Sequence, residues 1–172
     1  LEEVIGIRPS KGSLAEYGVT YSQVDLLPDG SFDFEHIKEA INKRTKLVTI
    51  QRSKGYATRP TLSVARIGEL ISYIKGIKPD VICMVDNCYG EFVEEQEPLE
   101  VGADMIVGSL IKNPGGGIAP TGGYISGTRK RSRCILRCHP VFLSGIFPCT
   151  DRGERRIKGC DLRGKYLRKT WI

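Results

Sequence analysis

Val81-Ile82-Cys83-Met84-Val85-Asp86 is an unbroken apolar run that ends on a carboxylate. It is too short for a buried helix and is preceded by Lys78-Pro79, so it reads as a strand buried on both faces, the usual state of a central strand in a parallel sheet. Asp86 then stands at the strand's carboxyl end, where open α/β sheets collect their ligands. The stretch just upstream supports this reading. From Thr61 to Ile77 the residues Leu62, Ala65, Ile67, Leu70, Ile71, Ile74 and Ile77 form one helical face, and Lys78-Pro79 stops the helix.

Moving outward, Lys46 to Gln51 carries a second buried-strand run, Leu47-Val48-Thr49-Ile50. Phe34, Ile37, Ala40 and Ile41 recur at helical spacing in the segment Phe34 to Asn42. Val19 to Leu26 reads as a strand that ends at the turn Pro28-Asp29-Gly30. Downstream, Ala103 to Gly108 is a short strand, and Gly122-Gly123-Tyr124-Ile125 reads as another beyond a Gly/Pro-rich turn. Alternating strands and helices define an α/β fold with a mostly parallel sheet and flanking helices.

Composition changes near Gly127. Residues 1–127 hold 13 Lys+Arg and 17 Asp+Glu, a net −4, whereas residues 128–172 hold 13 and 3, a net +10. Of the six cysteines, Cys134, Cys138, Cys149 and Cys160 lie in this last part, which has no sustained period of 2 or 3.6 residues. A basic arm on nucleic acid would use such charge, and Cys134, Cys138, His139 and Cys149 are residue types that bind zinc, but their spacing is looser than that of paired zinc ligands. The expectation is no metal, no nucleic acid and a basic Cys/Arg-rich tail over 128–172 that is an out-of-frame translation or disordered. No stretch has the roughly twenty apolar residues of a membrane span, and no export signal opens the chain, so a cytoplasmic protein is expected. Its Leu-Glu-Glu-Val-Ile-Gly start reads as the inside of a longer sequence.

Two strand ends carry the chemistry. Asp86 alone would pass for a helix-cap or turn aspartate, and Lys112, ahead of Asn113-Pro114-Gly115-Gly116-Gly117, for a solvated lysine. Together they meet the needs of pyridoxal phosphate (PLP), which takes a lysine for its Schiff base and a carboxylate to keep the pyridine nitrogen protonated. Tyr89, three residues after Asp86, brings a phenol to the same edge, where it can bond the ring's 3-oxygen. Ser109, three residues before Lys112, offers a hydroxyl to the phosphate. The glycine run is not a nucleotide-binding loop, because such loops place Lys-Ser/Thr after the glycines.

Three stretches carry a family resemblance: Gln51-Arg52-Ser53-Lys54-Gly55-Tyr56-Ala57-Thr58-Arg59-Pro60, Val85-Asp86-Asn87-Cys88-Tyr89-Gly90-Glu91-Phe92-Val93-Glu94, and Gly108-Ser109-Leu110-Ile111-Lys112-Asn113-Pro114-Gly115-Gly116-Gly117-Ile118-Ala119-Pro120-Thr121-Gly122-Gly123-Tyr124. They resemble the methionine gamma-lyase-like proteins, also called aluminium-resistance proteins, over about residues 1–127. The resemblance implies a partial PLP-binding large domain of the aspartate-aminotransferase fold. It also implies a carbon–sulphur lyase acting on sulphur amino acids, in which Lys112 is the Schiff-base lysine and general base, Asp86 the pyridinium partner and Ser109 a phosphate contact. Tyr89 matches the aminotransferase Asp-x-x-Tyr position, which cystathionine enzymes lack, and Ile111 stands where they usually carry a threonine hydroxyl. The family further implies a glycine-rich phosphate loop and a substrate-binding arginine in segments outside this chain, and a homo-oligomer for the full-length parent. A non-catalytic remnant of such an enzyme is the first alternative, and a nucleic-acid-binding protein acting through the basic tail is the second, weaker one. Arg52, Tyr56 and Arg59 could face the cofactor or make structural ion pairs.

Overall fold

The computed structural model describes residues 11–112 and 122–128. The chain divides into two units, Leu1–Asn42 and Lys43–Ile172. In the first, a 3₁₀ turn at Leu14–Tyr17 ends on Gly18, whose φ of 74° is the left-handed conformation glycine adopts without strain. A tight turn follows, with Gly30 N–H donating to Leu27 O at 2.8 Å and Asp29 Oδ1 accepting from the Ser31 N–H at 2.8 Å. Helix α1 spans Phe34–Ala40, and the Asp33 side chain caps it by accepting from the His36 N–H. Its apolar residues are half-buried and its charged ones exposed, as the spacing requires.

The expected strand at Val19–Leu26 does not form a ladder in the sheet. Instead Tyr21 donates to Gln23 Oε1 at 3.1 Å, and Gln23 Nε2 to Asp25 Oδ1 at 2.6 Å. Strand-like residues therefore report an extended chain with side chains two apart on one side, and they carry no information on whether a neighbouring strand pairs with it.

Among the described residues, the second unit holds a four-stranded sheet in sequence order: β1 (Leu47–Gln51), β2 (Ile82–Asp86), β3 (Met105–Ser109) and β4 (Gly123–Gly127). β1, β2 and β3 are parallel, and β4 returns antiparallel to β3. The expected α/β class with a mostly parallel sheet is thus observed. Helix α2 (Val64–Ile77) crosses from β1 to β2. It starts three residues later than the periodicity suggested because Ser63 is its cap, accepting from the Arg66 N–H at 3.3 Å, an interaction worth about 1 kcal/mol.

The helix buries Val64, Ile67, Leu70, Ile71 and Ile74, each worth roughly 1.5–3 kcal/mol, against a sheet whose Cys83 and Val85 are fully enclosed. Ala65 and Ile77, expected on this face, are exposed, and Val64 takes the inward place. β2 was expected to be buried on both faces, but its burial alternates: Cys83 and Val85 are inside, while Ile82, Met84 and Asp86 are half-buried. β1 lies at the edge of the described sheet, so only Ile50 of its apolar run is buried.

At the amino end of the strands, Lys75 Nζ donates to Asp104 Oδ2 at 2.6 Å, and the same oxygen accepts from the Cys83 N–H at 2.9 Å. At the carboxyl end Gly108 lies under the Tyr124 ring, where a Cβ would come within 2.4 Å of the ring. Gly108→Ala should therefore lower unfolding free energy by about 1–3 kcal/mol through overpacking. Gly76→Ala, on the exposed side of α2 with open space around it, should raise it by about 0.5–1 kcal/mol. Urea unfolding of the two variants checks the opposite signs.

Candidate active site

β2 delivers Asp86 to the carboxyl edge with its backbone held from both sides. The Arg52 N–H donates to Asp86 O at 3.1 Å, continuing the β1 ladder, and the Asn87 N–H donates to Val107 O at 2.8 Å, continuing the β3 ladder. The Asp86 carboxylate accepts the Cys88 N–H at 3.1 Å, so it also makes the turn contact that a strand-end aspartate commonly makes. A further turn, Gly90 N–H to Asn87 O at 2.8 Å, throws Tyr89 to a φ of 67° and exposes it. Phe92 has a φ of 60°, also left-handed. Each such non-glycine conformation costs on the order of 1–3 kcal/mol and persists only where its surroundings hold it.

β3 ends on Ser109, paired with Gly123 of β4. The Lys112 N–H donates back to Ser109 O at 3.4 Å, turning the chain so that Lys112 Nζ stands 4.9 Å from the centre of the Tyr89 ring. This cation–π contact, worth about 0.5–1 kcal/mol where water has access, joins the Asp86 turn to the Lys112 turn. The Cys88 thiol lies between them. Burial first, then its hydrogen bond to Asp86, pushes it up to about 11, while the Lys112 charge pulls the other way. Asp86, Tyr89 and Lys112 thus lie at one edge of the sheet. Ser109 is half-buried at the end of β3, and its backbone carbonyl anchors the Lys112 turn.

The acidic stretch after Gly90, which has no evident role in the sequence, encloses Arg52. That residue is 1% exposed. Its Nη1 donates to Asn87 Oδ1 and Gly90 O, both at 2.8 Å, and its Nη2 donates to Glu94 Oε1 at 2.6 Å. Glu94 in turn accepts the Val64 N–H at 3.0 Å, at the start of α2, where the helix dipole favours negative charge. Glu97 accepts from Asn87 Nδ2 at 2.8 Å and from the Phe92 N–H at 3.0 Å.

Behind this cluster, Tyr124 of β4 donates its hydroxyl to Glu91 Oε1 at 2.8 Å, and burial is the main force keeping that phenol protonated. The second oxygen of Glu91 is buried with no hydrogen-bond partner among the described residues. Arg52 therefore makes structural contacts. Arg59 does likewise, donating to the Gln51, Ser53 and Pro60 carbonyls, and Tyr56 is fully exposed. Among the described residues no group of acidic, histidine and cysteine side chains could hold a metal, and no helix is long and apolar enough to cross a membrane. The four cysteines and the basic charge beyond Gly127 lie outside the described residues.

Cys83 is also raised, to about 11, chiefly by burial in the core. Folding favours the neutral thiols of Cys83 and Cys88, so their contribution to stability is complete below pH 9 and is lost as pH rises from 9 toward 11. Urea midpoints measured across that range should fall, and the fall should be shallower in Cys83→Ala, where one of the two thiols is gone.

The sequence profile of the family described as methionine gamma-lyase matches residues 1–139. The chain is 53% identical over 132 residues to the uncharacterized protein YnbB of Bacillus subtilis, covering 76% of this chain and 31% of that one. It is 35% identical over 109 residues to cystathionine gamma-synthase of Mycobacterium leprae, covering 62% of this chain and 26% of that one. A crystal structure from Listeria monocytogenes, of a protein named for involvement in aluminium resistance, matches with a TM-score of 0.72 at 57% identity, covering 74% of this chain and 32% of that one. The chain spans between 26% and 32% of the length of these three proteins. With the profile matching most of its length and a solved structure sharing both fold and sequence, the chain belongs to the methionine gamma-lyase family.

Proposed function

We propose that this chain carries the cofactor-holding centre of a PLP-dependent carbon–sulphur lyase acting on sulphur amino acids. The observation that carries the reading is the meeting of two successive strand ends: Asp86 closes β2, and Lys112, turned back after β3, places its ammonium against Tyr89, three residues beyond Asp86. A carboxylate, an amine and a phenol on one edge are the donor set that PLP requires. Family membership and the 35% identity to a cystathionine gamma-synthase support the same cofactor and substrate class.

Bound here, PLP supplies an electron sink for charge developing at the substrate's alpha carbon. Asp86, fixed by two ladders, holds the proton on the pyridine nitrogen, since a carboxylate at bonding distance shifts such a group by about one to three pKa units. Lys112 Nζ is the amine that would hold the cofactor through its aldehyde, and in its neutral form it would serve as the base for the proton on the substrate's alpha carbon. Tyr89 bounds one side of the lysine, and its phenol would be a hydrogen-bond partner for the ring's 3-oxygen. Ser109 would offer a hydroxyl to the phosphate.

Incubation of the 172-residue protein with PLP, borohydride reduction and peptide mass mapping should place the phosphopyridoxyl group on Lys112. Lys112→Ala should abolish that label, and Asp86→Ala should weaken PLP binding by about tenfold or more. Labelling spread evenly over the lysines, and unchanged in Lys112→Ala, would overturn the assignment.

A further inference from the structure

We propose that Arg52 is a positioning residue for the cofactor site: its guanidinium, bonded to Asn87, Gly90 and Glu94, fixes the Asp86–Tyr89 turn so that the carboxylate and the phenol hold their places. The inference rests on the PLP reading above for its functional meaning, but the clamp itself is visible in the protein alone.

Arg52 grips the turn at both ends. Its backbone N–H holds the Asp86 carbonyl, and its Nη1 holds the side chain of Asn87 and the carbonyl of Gly90, the residues immediately after Asp86 and immediately after Tyr89. Between these anchors lie Cys88 and the left-handed Tyr89, whose φ of 67° needs surroundings that determine it. The guanidinium presses directly on the backbone: a Cβ on Gly90 would sit 2.6 Å from Arg52 Cδ and Nη1. Nor can the group move aside without leaving Glu94 and Glu97, 2.6 and 3.7 Å away, short of their buried cation. A fork with donors on two nitrogens meets three acceptors at once, which a lysine ammonium on a flexible stem does not reproduce.

A purely structural arginine would tie α2 to the sheet through Glu94 and affect the whole unit alike. The two described cysteines separate these roles. Cys88 lies within the clamped turn, and Cys83 is fully enclosed in the core three residues before Asp86. Both thiols are held neutral and therefore react slowly with alkylating reagents near pH 7.

Arg52→Gln strands two carboxylates and can unfold the chain, so Gly90→Ala is the sharper variant. Its methyl group crowds Arg52 Cδ and Nη1 and loosens the bonds to Asn87 Oδ1 and Gly90 O while the charge stays in the chain beside Glu94 and Glu97, and its backbone φ is not one that disfavours alanine. Native alkylation with iodoacetamide at pH 7, read by peptide mass mapping, should rise several-fold at Cys88 in Gly90→Ala while Cys83 stays protected. PLP labelling of Lys112 should fall in the same variant. Parallel rises at both cysteines, or no rise at Cys88, would overturn the clamp whether or not PLP labels Lys112 in the parent protein. Lys112 labelling as strong as the parent's, in a variant whose Cys88 has become reactive, would overturn the link between clamp and cofactor.

Discussion

A single buried guanidinium sets the geometry of the sheet's carboxyl edge. Taking the Arg52 charge out of water costs several kcal/mol, and an ion pair returns this only if nearly every donor finds a partner. Here Nη1 serves an amide oxygen and a backbone carbonyl, and Nη2 serves a carboxylate. Removing one partner of such a cluster typically costs about 3–5 kcal/mol, because the other charge stays buried. The cluster therefore tolerates little movement, and what it touches inherits that rigidity: the end of β1, the turn after β2 and, through Glu94, the first turn of α2.

Asp86 gains from this arrangement in a way that its own contacts do not reveal. A strand-end aspartate bonded only to the N–H two residues on would be free to follow its loop. Here the loop is tied to a side chain from the neighbouring strand, and two ladders fix the aspartate's backbone. The strain at Tyr89 and Phe92 is held in the same way, by the Arg52–Gly90 bond on one side and by Glu97 accepting the Phe92 N–H on the other. Backbone held off its preferred basins by a rigid neighbour is a recurrent property of ligand sites.

How far the sequence shows this depends on the range of the interactions. β2, most of the inward face of α2 and the placing of Asp86 at the strand's end are legible because each follows from period, punctuation or residue type within a few positions. Local signals fail at Val19–Leu26, where strand-like residues do not say whether a partner strand exists, and at β1, where an apolar run does not say that it lies at an edge. Ala65 and Val64 exchange roles because the Ser63 cap sets the helix phase. The clamp is invisible for a different reason: its bonds join residues 35, 38 and 42 positions apart, and Glu94 and Glu97 look like ordinary solvated acids until Arg52 is placed among them. One signal was present, since an arginine directly after an apolar strand run and a glycine four residues after its partner strand both sit at the ligand edge.

The placement of Lys112 depends on the antiparallel pairing of β4 with β3. In a purely parallel arrangement the chain leaving β3 would pass into a crossover helix and carry the lysine away from the edge. Because β4 returns along β3, with Leu110 N–H bonded to Gly122 O at 2.9 Å, both ends of the intervening loop are pinned to the same strand end. That return requires Gly108, since only a residue without a side chain leaves room for the Tyr124 ring to lie across β3 and reach Glu91. Tyr124 thus links the strand that positions Lys112 to the acidic segment that encloses Arg52. The two turns that meet at the Tyr89–Lys112 contact are held by one connected set of buried polar groups, so loosening either turn should be felt at the other.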